Sequence, residues 1–89
     1  MVQVVFTPNL QRHVSCPPVG VTGGTVAEAL GSVFDDNPTL RRYVLDDQGA
    51  LRKNMVIFVD GLALKDRRTL NDRVADNGEI FVMQALTGG

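Results

Sequence analysis

Apolar residues at the start of the chain follow a pattern that predicts two short β-strands. Residues 1–6 are rich in β-branched and aromatic side chains and lead into Thr7-Pro8-Asn9, a group that favours a turn. The Pro17-Pro18 pair forces an extended backbone and leads into residues 19–21, a second short strand. Two strands this close in sequence predict a hairpin.

The next apolar residues recur at helical spacing and predict the main helix. Thr25 is a good N-cap, and Glu28 three residues later completes a Thr-x-x-Glu capping box for the first turn. The apolar residues that fall on one face of this helix are Val26, Ala29, Leu30, Val33 and Phe34. Gly23-Gly24 is interpreted as the turn before the cap; a phosphate site is the alternative, but no P-loop lysine is present. The group 35–38 ends the helix and begins a further short helical turn.

The second half of the chain predicts an antiparallel pair and a final strand. Residues 55–59 are continuously apolar, Asp60-Gly61 is the favoured type I′ turn, and residues 62–64 return antiparallel. Residues 70–74 fit one further helical turn. A polar turn then leads into the last strand, residues 79–85.

The order of these elements, β-β-α-(short α)-β-β-β, predicts an α+β domain of the β-grasp (ubiquitin-like) kind. We expect a mixed sheet of four to five strands packed on one main helix. The domain is expected to occupy residues 1–85, and residues 86–89 are expected to form a flexible C-terminal Gly-Gly tail.

The two long strands are apolar on both of their faces. Side chains alternate along a strand, so Ile80 and Val82 share one face and their neighbours point to the other. The residues on the second faces are Val56, Phe58, Phe81 and Met83. One main helix can cover only one face of a sheet, so the second faces predict a partner-binding surface. The alternative is that the loops around 8–18 or 45–54 fold over it.

Composition excludes several classes of function. The chain has 89 residues, of which 44% are apolar and 21% charged, as in a single globular domain. A net charge of −1 with well-mixed signs argues against nucleic acid as a partner. No apolar run is long enough to span a membrane and the start lacks a basic signal flank, so we expect a cytoplasmic protein. One cysteine and one histidine cannot make a zinc site with four ligands, and no metal is expected.

The sequence ends in Leu86-Thr87-Gly88-Gly89, four residues that reach about 13 Å when extended. The carboxylate of Gly89 is then held away from the domain. Because glycine has no side chain, a second protein's active site can close around this backbone and act on the carboxylate.

Several segments resemble the ubiquitin-like sulfur carriers of the ThiS/MoaD family. Asp76-Asn77-Gly78-Glu79-Ile80 is similar to the family's Asp-Gly-Asp-Glu-Val turn into the last strand, and Leu86-Thr87-Gly88-Gly89 is similar to its terminus. The stretch 40–49, leading through 51–59, looks most like carriers that feed cysteine synthesis or other thiolation enzymes. The similarity runs along the whole chain.

This resemblance implies a carrier that is not itself an enzyme and holds no cofactor. An E1-like activating enzyme would use ATP and magnesium to adenylate Gly89, and a sulfur donor would displace AMP to leave a thiocarboxylate. The thiocarboxylate would pass its sulfur to a biosynthetic enzyme for cysteine, molybdopterin or another metabolite. Gly88 would give clearance in the partner's channel, and the tail would need no trimming. The expected partner-binding residues are Phe58, Phe81, Met83, Leu86 and Thr87.

Other interpretations stay open at this point. The chain could be a protein modifier joined through Gly89 to lysines, or a non-catalytic β-grasp binding module. His13 and Cys16 invite a nucleophile–base pair, but the adjacent prolines and the missing third group favour an ordinary loop with an inert thiol. The basic residues around Asp66 (Lys65, Arg67 and Arg68) are expected to be a solvated loop, with an acidic partner surface as the alternative.

Overall fold

The computed structural model describes residues 1–12 and 14–84 and contains eight helices and strands in that part of the chain. They are β1 (Val2–Phe6), α1 (Pro8–Gln11), β2 (Val19–Val21), α2 (Val26–Asp36), α3 (Pro38–Val44), β3 (Met55–Val59), β4 (Leu62–Ala63) and β5 (Glu79–Gln84). The boundary predicted at residue 85 lies outside the described residues and stays a prediction.

The strands form one five-stranded sheet in the order β2-β1-β5-β3-β4. β1 and β5 lie side by side and parallel at the centre, and the other neighbouring pairs are antiparallel. The predicted hairpins are confirmed. Asp60 and Gly61 both have positive φ, 50° and 86°, as a type I′ turn requires. The expected mixed sheet of a β-grasp fold is therefore present.

Thr25 caps α2 as the sequence predicts, and the Glu28 side chain reaches back to the amide of the residue before the cap. The Thr25 hydroxyl accepts from the Glu28 amide at 3.2 Å, and the Glu28 carboxylate accepts from the Gly24 amide at 3.1 Å. A Cβ on Gly23 would lie only 2.8 Å from the backbone nitrogen of Ala29. The Gly23-Gly24 turn thus packs directly on α2. The Gly24 amide already donates to the Glu28 carboxylate, so we interpret the turn as the start of the helix and not as a phosphate site.

The core lies between the sheet and the helices. Alternate strand residues supply the sheet side of this core: Val2, Val4, Phe6, Met55, Ile57, Ile80 and Val82. The predicted apolar face of α2 supplies much of the other side, and Leu40 and Val44 of α3 are also fully buried. The helical layer is therefore broader than the one main helix expected.

The loops that could have covered the far side of the sheet contribute to this same core. Cys16 lines a groove with Phe6 of β1 and Val33 of α2, which places the 8–18 loop on the helix side. Leu45 lines a cleft with Phe34 of α2, which places the start of the 45–54 loop there too. Leu10, Val14 and Leu51 are buried in the same cluster.

Two local predictions are wrong. Residues 70–74 do not form a helical turn, because Leu70 has a positive φ of 56° and the Val74 amide donates to the Gly24 carbonyl at 3.1 Å instead of to Leu70. The segment after β1 contains a short helix, α1, where only a turn was expected; Pro8 begins it, a position where the missing N–H costs nothing.

Candidate functional site

The sheet has an outer face that turns away from the helices, and its apolar part lies toward one end. In the registers of the central strands Phe81 is opposite Phe58 on β3 and Val5 on β1, while Met83 is opposite Val56. These five residues are here called the outer patch. The other end of the face is polar, where Gln3 of β1 is opposite Glu79 of β5. The outer patch thus lies toward the end at which β5 finishes.

Each member of the outer patch is half-buried, less exposed than the sequence alone suggested. Directly opposed aromatic side chains on neighbouring strands shield each other, as Phe58 and Phe81 are placed to do. None of the five belongs to the buried core cluster. The assignment of Val56, Phe58, Phe81 and Met83 to the face opposite the core is therefore right.

Sequence reasoning missed one residue of this site. Val5 joins the outer patch because β1 is parallel to β5, a pairing that no local pattern reports. The alternation of Val2, Val4 and Phe6 did carry the signal that Val5 points the other way. Leu62 of β4 is 71% exposed, but its register with Val59 and Ile80 places it on the other face of the sheet, at the end away from Gln84.

The last described residue of β5 defines the root of the tail. Gln84 is opposite Met55, the first residue of β3. The remaining predicted site residues, Leu86, Thr87, Gly88 and Gly89, lie outside the described residues. The structure thus places Gln84, the last described residue before them, beside the outer patch.

Arginine side chains form hydrogen bonds that link the loops near this end of β3 and β5. The Arg67 guanidinium donates from one nitrogen to the carbonyls of Met55 and Arg52, both at 2.9 Å. Arg52 in turn donates from Nε to the Arg42 carbonyl at 2.7 Å. Arg67 thus satisfies a β3 carbonyl beyond the end of the two-residue β4, so it is more than a solvated loop residue.

The loop between β4 and β5 is organised by two carboxylates. Asp66 accepts from the Thr69 hydroxyl and from the amides of Arg68, Thr69 and Asn71. These hydrogen bonds, led by the Thr69 hydroxyl, lower the pKa of Asp66 to about 2. Asp72 accepts from the amides of Lys65 and Asp66, both at 2.9 Å. Hydrogen bonding thus holds Asp66 in its ionised form and shapes the segment that carries Arg67.

Cys16 is 3% exposed, and burial raises the pKa of its thiol. A buried thiol with a raised pKa is a poor nucleophile, which agrees with the inert role expected from the sequence. His13 lies outside the described residues.

Within the described ranges, no group of three or more His, Cys, Asp or Glu side chains could hold a metal ion. The helices of residues 1–12 and 14–84 include none long and apolar enough to cross a membrane.

Comparison with known proteins identifies similar structures. No family model matches the chain, and no curated protein does. A chain of the Amycolatopsis orientalis BexX/CysO complex superposes with a TM-score of 0.83 at 20% identity, covering 100% of both chains. Mycobacterium tuberculosis CysO gives 0.80 at 18% identity, covering 97% of this chain and 100% of the other. SAMP1 from Haloferax volcanii gives 0.77 at 23% identity, covering 99% and 98%.

Of these structural neighbours, the Haloferax volcanii protein SAMP1 is a small archaeal modifier protein. Their sequence identities are low, and the agreement extends over essentially the whole of each chain. The resemblance seen in the sequence is thereby confirmed at the level of the fold. The chain has the β-grasp, ubiquitin-like fold of the CysO and SAMP1 proteins.

Proposed function

We propose that this protein is a ubiquitin-like sulfur carrier whose Gly89 carboxylate is converted to a thiocarboxylate. The observation that carries the proposal is the position of Gln84, at the apolar end of the outer face, four residues before the Gly-Gly pair. A partner that covers the outer patch would therefore meet the tail at the same place.

The proposed chemistry takes place in two steps at the carboxyl group of Gly89. A Gly89 carboxylate oxygen attacks the α-phosphorus of ATP in an E1-like activating enzyme that uses magnesium, and pyrophosphate leaves. A sulfur nucleophile then attacks the acyl carbon of the mixed anhydride, and AMP leaves with the electron pair of the broken C–O bond. If the nucleophile is hydrosulfide, this step already gives the thiocarboxylate. If it is a persulfide, an acyl disulfide forms, and a second thiol attacks the donor's own sulfur, so that a disulfide forms and the thiocarboxylate leaves with the electron pair of the broken S–S bond. Activation is needed because a carboxylate is a poor electrophile.

The residues of this chain bind and present the reacting group. Phe58, Phe81 and Met83 contact the partner through the outer patch, and Leu86 and Thr87 extend that contact along the tail. Gly88 has no Cβ, so a narrow channel can close around the backbone next to the reacting carboxylate. The thiocarboxylate then passes its sulfur to a biosynthetic enzyme in the cytoplasm.

The neighbours support a protein of this general kind. A CysO protein forms a complex with BexX in Amycolatopsis orientalis, so a domain of this shape associates with a second protein. The second candidate function is conjugation to other proteins through Gly89, which is favoured by the likeness to SAMP1, a small archaeal modifier protein. A β-grasp binding module with an inert tail remains the third.

Intact-mass spectrometry of the protein purified from its native host separates these functions. A sulfur carrier gains the mass difference between sulfur and oxygen, whereas a modifier gives heavier conjugates. Deletion of Gly89, or addition of one residue after it, should abolish the sulfur gain because the carboxylate is then displaced.

The matched control is Asp47→Asn, a change at an exposed loop position. This variant should load like the wild type. Sulfur loading of either tail variant at the wild-type level would refute the role of Gly89.

A further inference from the structure

The basic residues of this protein are unevenly placed. All lysines and arginines except Arg12 fall between residues 41 and 73. Five of them, all exposed, lie in the segments that meet at the tail root: Arg42, Arg52, Lys53, Arg67 and Arg68. These five are here called the basic collar. The net charge of −1 therefore conceals a local excess of positive charge.

Hydrogen bonds place the basic collar near Gln84, the last described residue of β5. Arg52 reaches the carbonyl of Arg42, and Arg67 reaches the carbonyls of Arg52 and Met55. Met55 is directly opposite Gln84 in the sheet. Neighbouring strands are about 4.8 Å apart, so the Arg67 guanidinium lies within about two strand spacings of the Gln84 backbone.

Among the described residues, the carboxylates near the basic collar do not pair with it directly. Asp46 accepts from the amides of Gln48 and Ala50, and Asp66 is held by the amides and hydroxyl of its own loop. The guanidinium groups of Arg52 and Arg67 donate to backbone carbonyls instead of carboxylates. Unpaired charges act over a Debye length of about 8 Å at physiological salt.

We infer that the basic collar binds an acidic protein surface that surrounds the tail-binding channel of the partner enzyme. This inference rests on the proposed function, and it names the chemistry of the partner. A protein occupant is favoured because the basic collar adjoins the apolar outer patch at Met55-Val56, and protein interfaces combine an apolar centre with a charged rim in which arginine is enriched.

The test reverses charges that carry no structural hydrogen bonds. The triple variant Arg42→Glu/Lys53→Glu/Arg68→Glu leaves the Arg52 and Arg67 side chains in place. Two single variants, Lys53→Glu and Arg73→Glu, change the net charge by the same amount, each at an exposed position. Arg73 shares a cleft with Val59 and Asp60, at the opposite end of the sheet from Gln84, so Arg73→Glu is the control. β5 spans roughly 17 Å between these ends.

The first measurement is an NMR titration of the full chain with a decaglutamate peptide and, separately, with a ten-nucleotide oligothymidylate. Decaglutamate should shift the amides of the basic collar, and the triple variant should bind at least about tenfold more weakly, with Arg73→Glu near wild type. Equal binding by the wild type and the triple variant would overturn the inference. Tighter binding of the oligonucleotide than of the peptide would overturn it as well, since a nucleic-acid site would then be the better description.

The second measurement is the rate of sulfur loading in a native-host extract with ATP, read by intact mass at low and high salt. The triple variant should load about tenfold more slowly at low salt, and Lys53→Glu should load more slowly than Arg73→Glu. If the triple variant loads sulfur at the wild-type rate, the inference about the basic collar is overturned and the proposed function still stands. No loading of the wild type would remove the proposed function, and the peptide titration alone would then decide for or against an acidic partner.

Discussion

Single residues of this protein are constrained by contacts that their type alone does not reveal. Gly23 and Gly31 are both glycines next to or within α2, yet their surroundings differ. A Cβ on Gly23 would meet the Ala29 backbone at 2.8 Å, whereas a Cβ on Gly31 would meet nothing within 4 Å. Close packing therefore requires glycine at position 23. At position 31 neither packing nor backbone conformation requires glycine.

These two glycines make a matched prediction. Gly23→Ala should lower the free energy of unfolding by about 1–3 kcal/mol, because the backbone of the first α2 turn must move. Gly31→Ala should raise it by up to about 1 kcal/mol, because alanine favours the helix. Urea unfolding followed by circular dichroism measures both. Equal effects of the two changes would contradict the close approach at Gly23.

Asp66 gives a prediction for pH. Its pKa is lowered from 3.8 to about 2 in the folded state, so its ionised form stabilises the fold at pH values above 3.8. This contribution should be lost progressively as the pH falls through 3.8 towards 2. Asp66→Asn should therefore be less stable than the wild type at neutral pH, and the difference should shrink in acid. Urea titrations at several pH values measure it.

The control for this prediction is Asp47→Asn, which removes an exposed carboxyl from a different loop. We expect the stability of Asp47→Asn to stay within about 0.5 kcal/mol of the wild type at neutral pH. A constant difference between Asp66→Asn and the wild type from pH 7 to pH 2 would show that the Asp66 carboxylate does not stabilise the loop.

At the scale of elements, β5 separates stability from binding by the alternation of its side chains. Ile80 and Val82 are fully buried in the core, while Phe81 and Met83 are half-buried in the outer patch. Adjacent residues of β5 therefore have different roles: Ile80 and Val82 pack in the core, and Phe81 and Met83 form part of the outer patch.

Phe81→Asp and Ile80→Asp test this separation. Phe81→Asp should cost about 1–2 kcal/mol of stability, from lost cross-strand contact and apolar burial, and should strongly reduce sulfur loading in a host extract. Ile80→Asp should cost about 4 kcal/mol or more, because an unpaired charge is forced into the core. Urea unfolding and intact mass report the two effects. If Phe81→Asp lowers the free energy of unfolding as much as Ile80→Asp does, Phe81 is a core residue.

For the whole molecule, the parts that the sequence predicted are those that local patterns determine. Helical spacing and the Thr25 cap define α2, and the Asp60-Gly61 turn defines the β3–β4 hairpin. Period-two alternation was enough to assign Phe58 and Phe81 to the outer face.

The parts that were not predicted depend on contacts between distant residues. The position of β1 beside β5 joins the two ends of the described chain. The left-handed backbone of Leu70 depends on the loop that Asp66 organises, and no propensity of leucine indicates it. The role of Arg67 depends on reaching a carbonyl of Met55, which a list of charged residues cannot show.

The central place of β5 has a consequence for how the protein is made. β1 has β2 on one side, and its other edge is filled by β5, which follows every other helix and strand of residues 1–12 and 14–84. A nascent chain therefore carries an open sheet edge on β1 until β5 has been made. The outer patch is also incomplete until then, because Phe81 and Met83 come from β5. A partner that needs the whole outer patch would therefore bind only chains in which β5 has been made and has paired with β1 and β3.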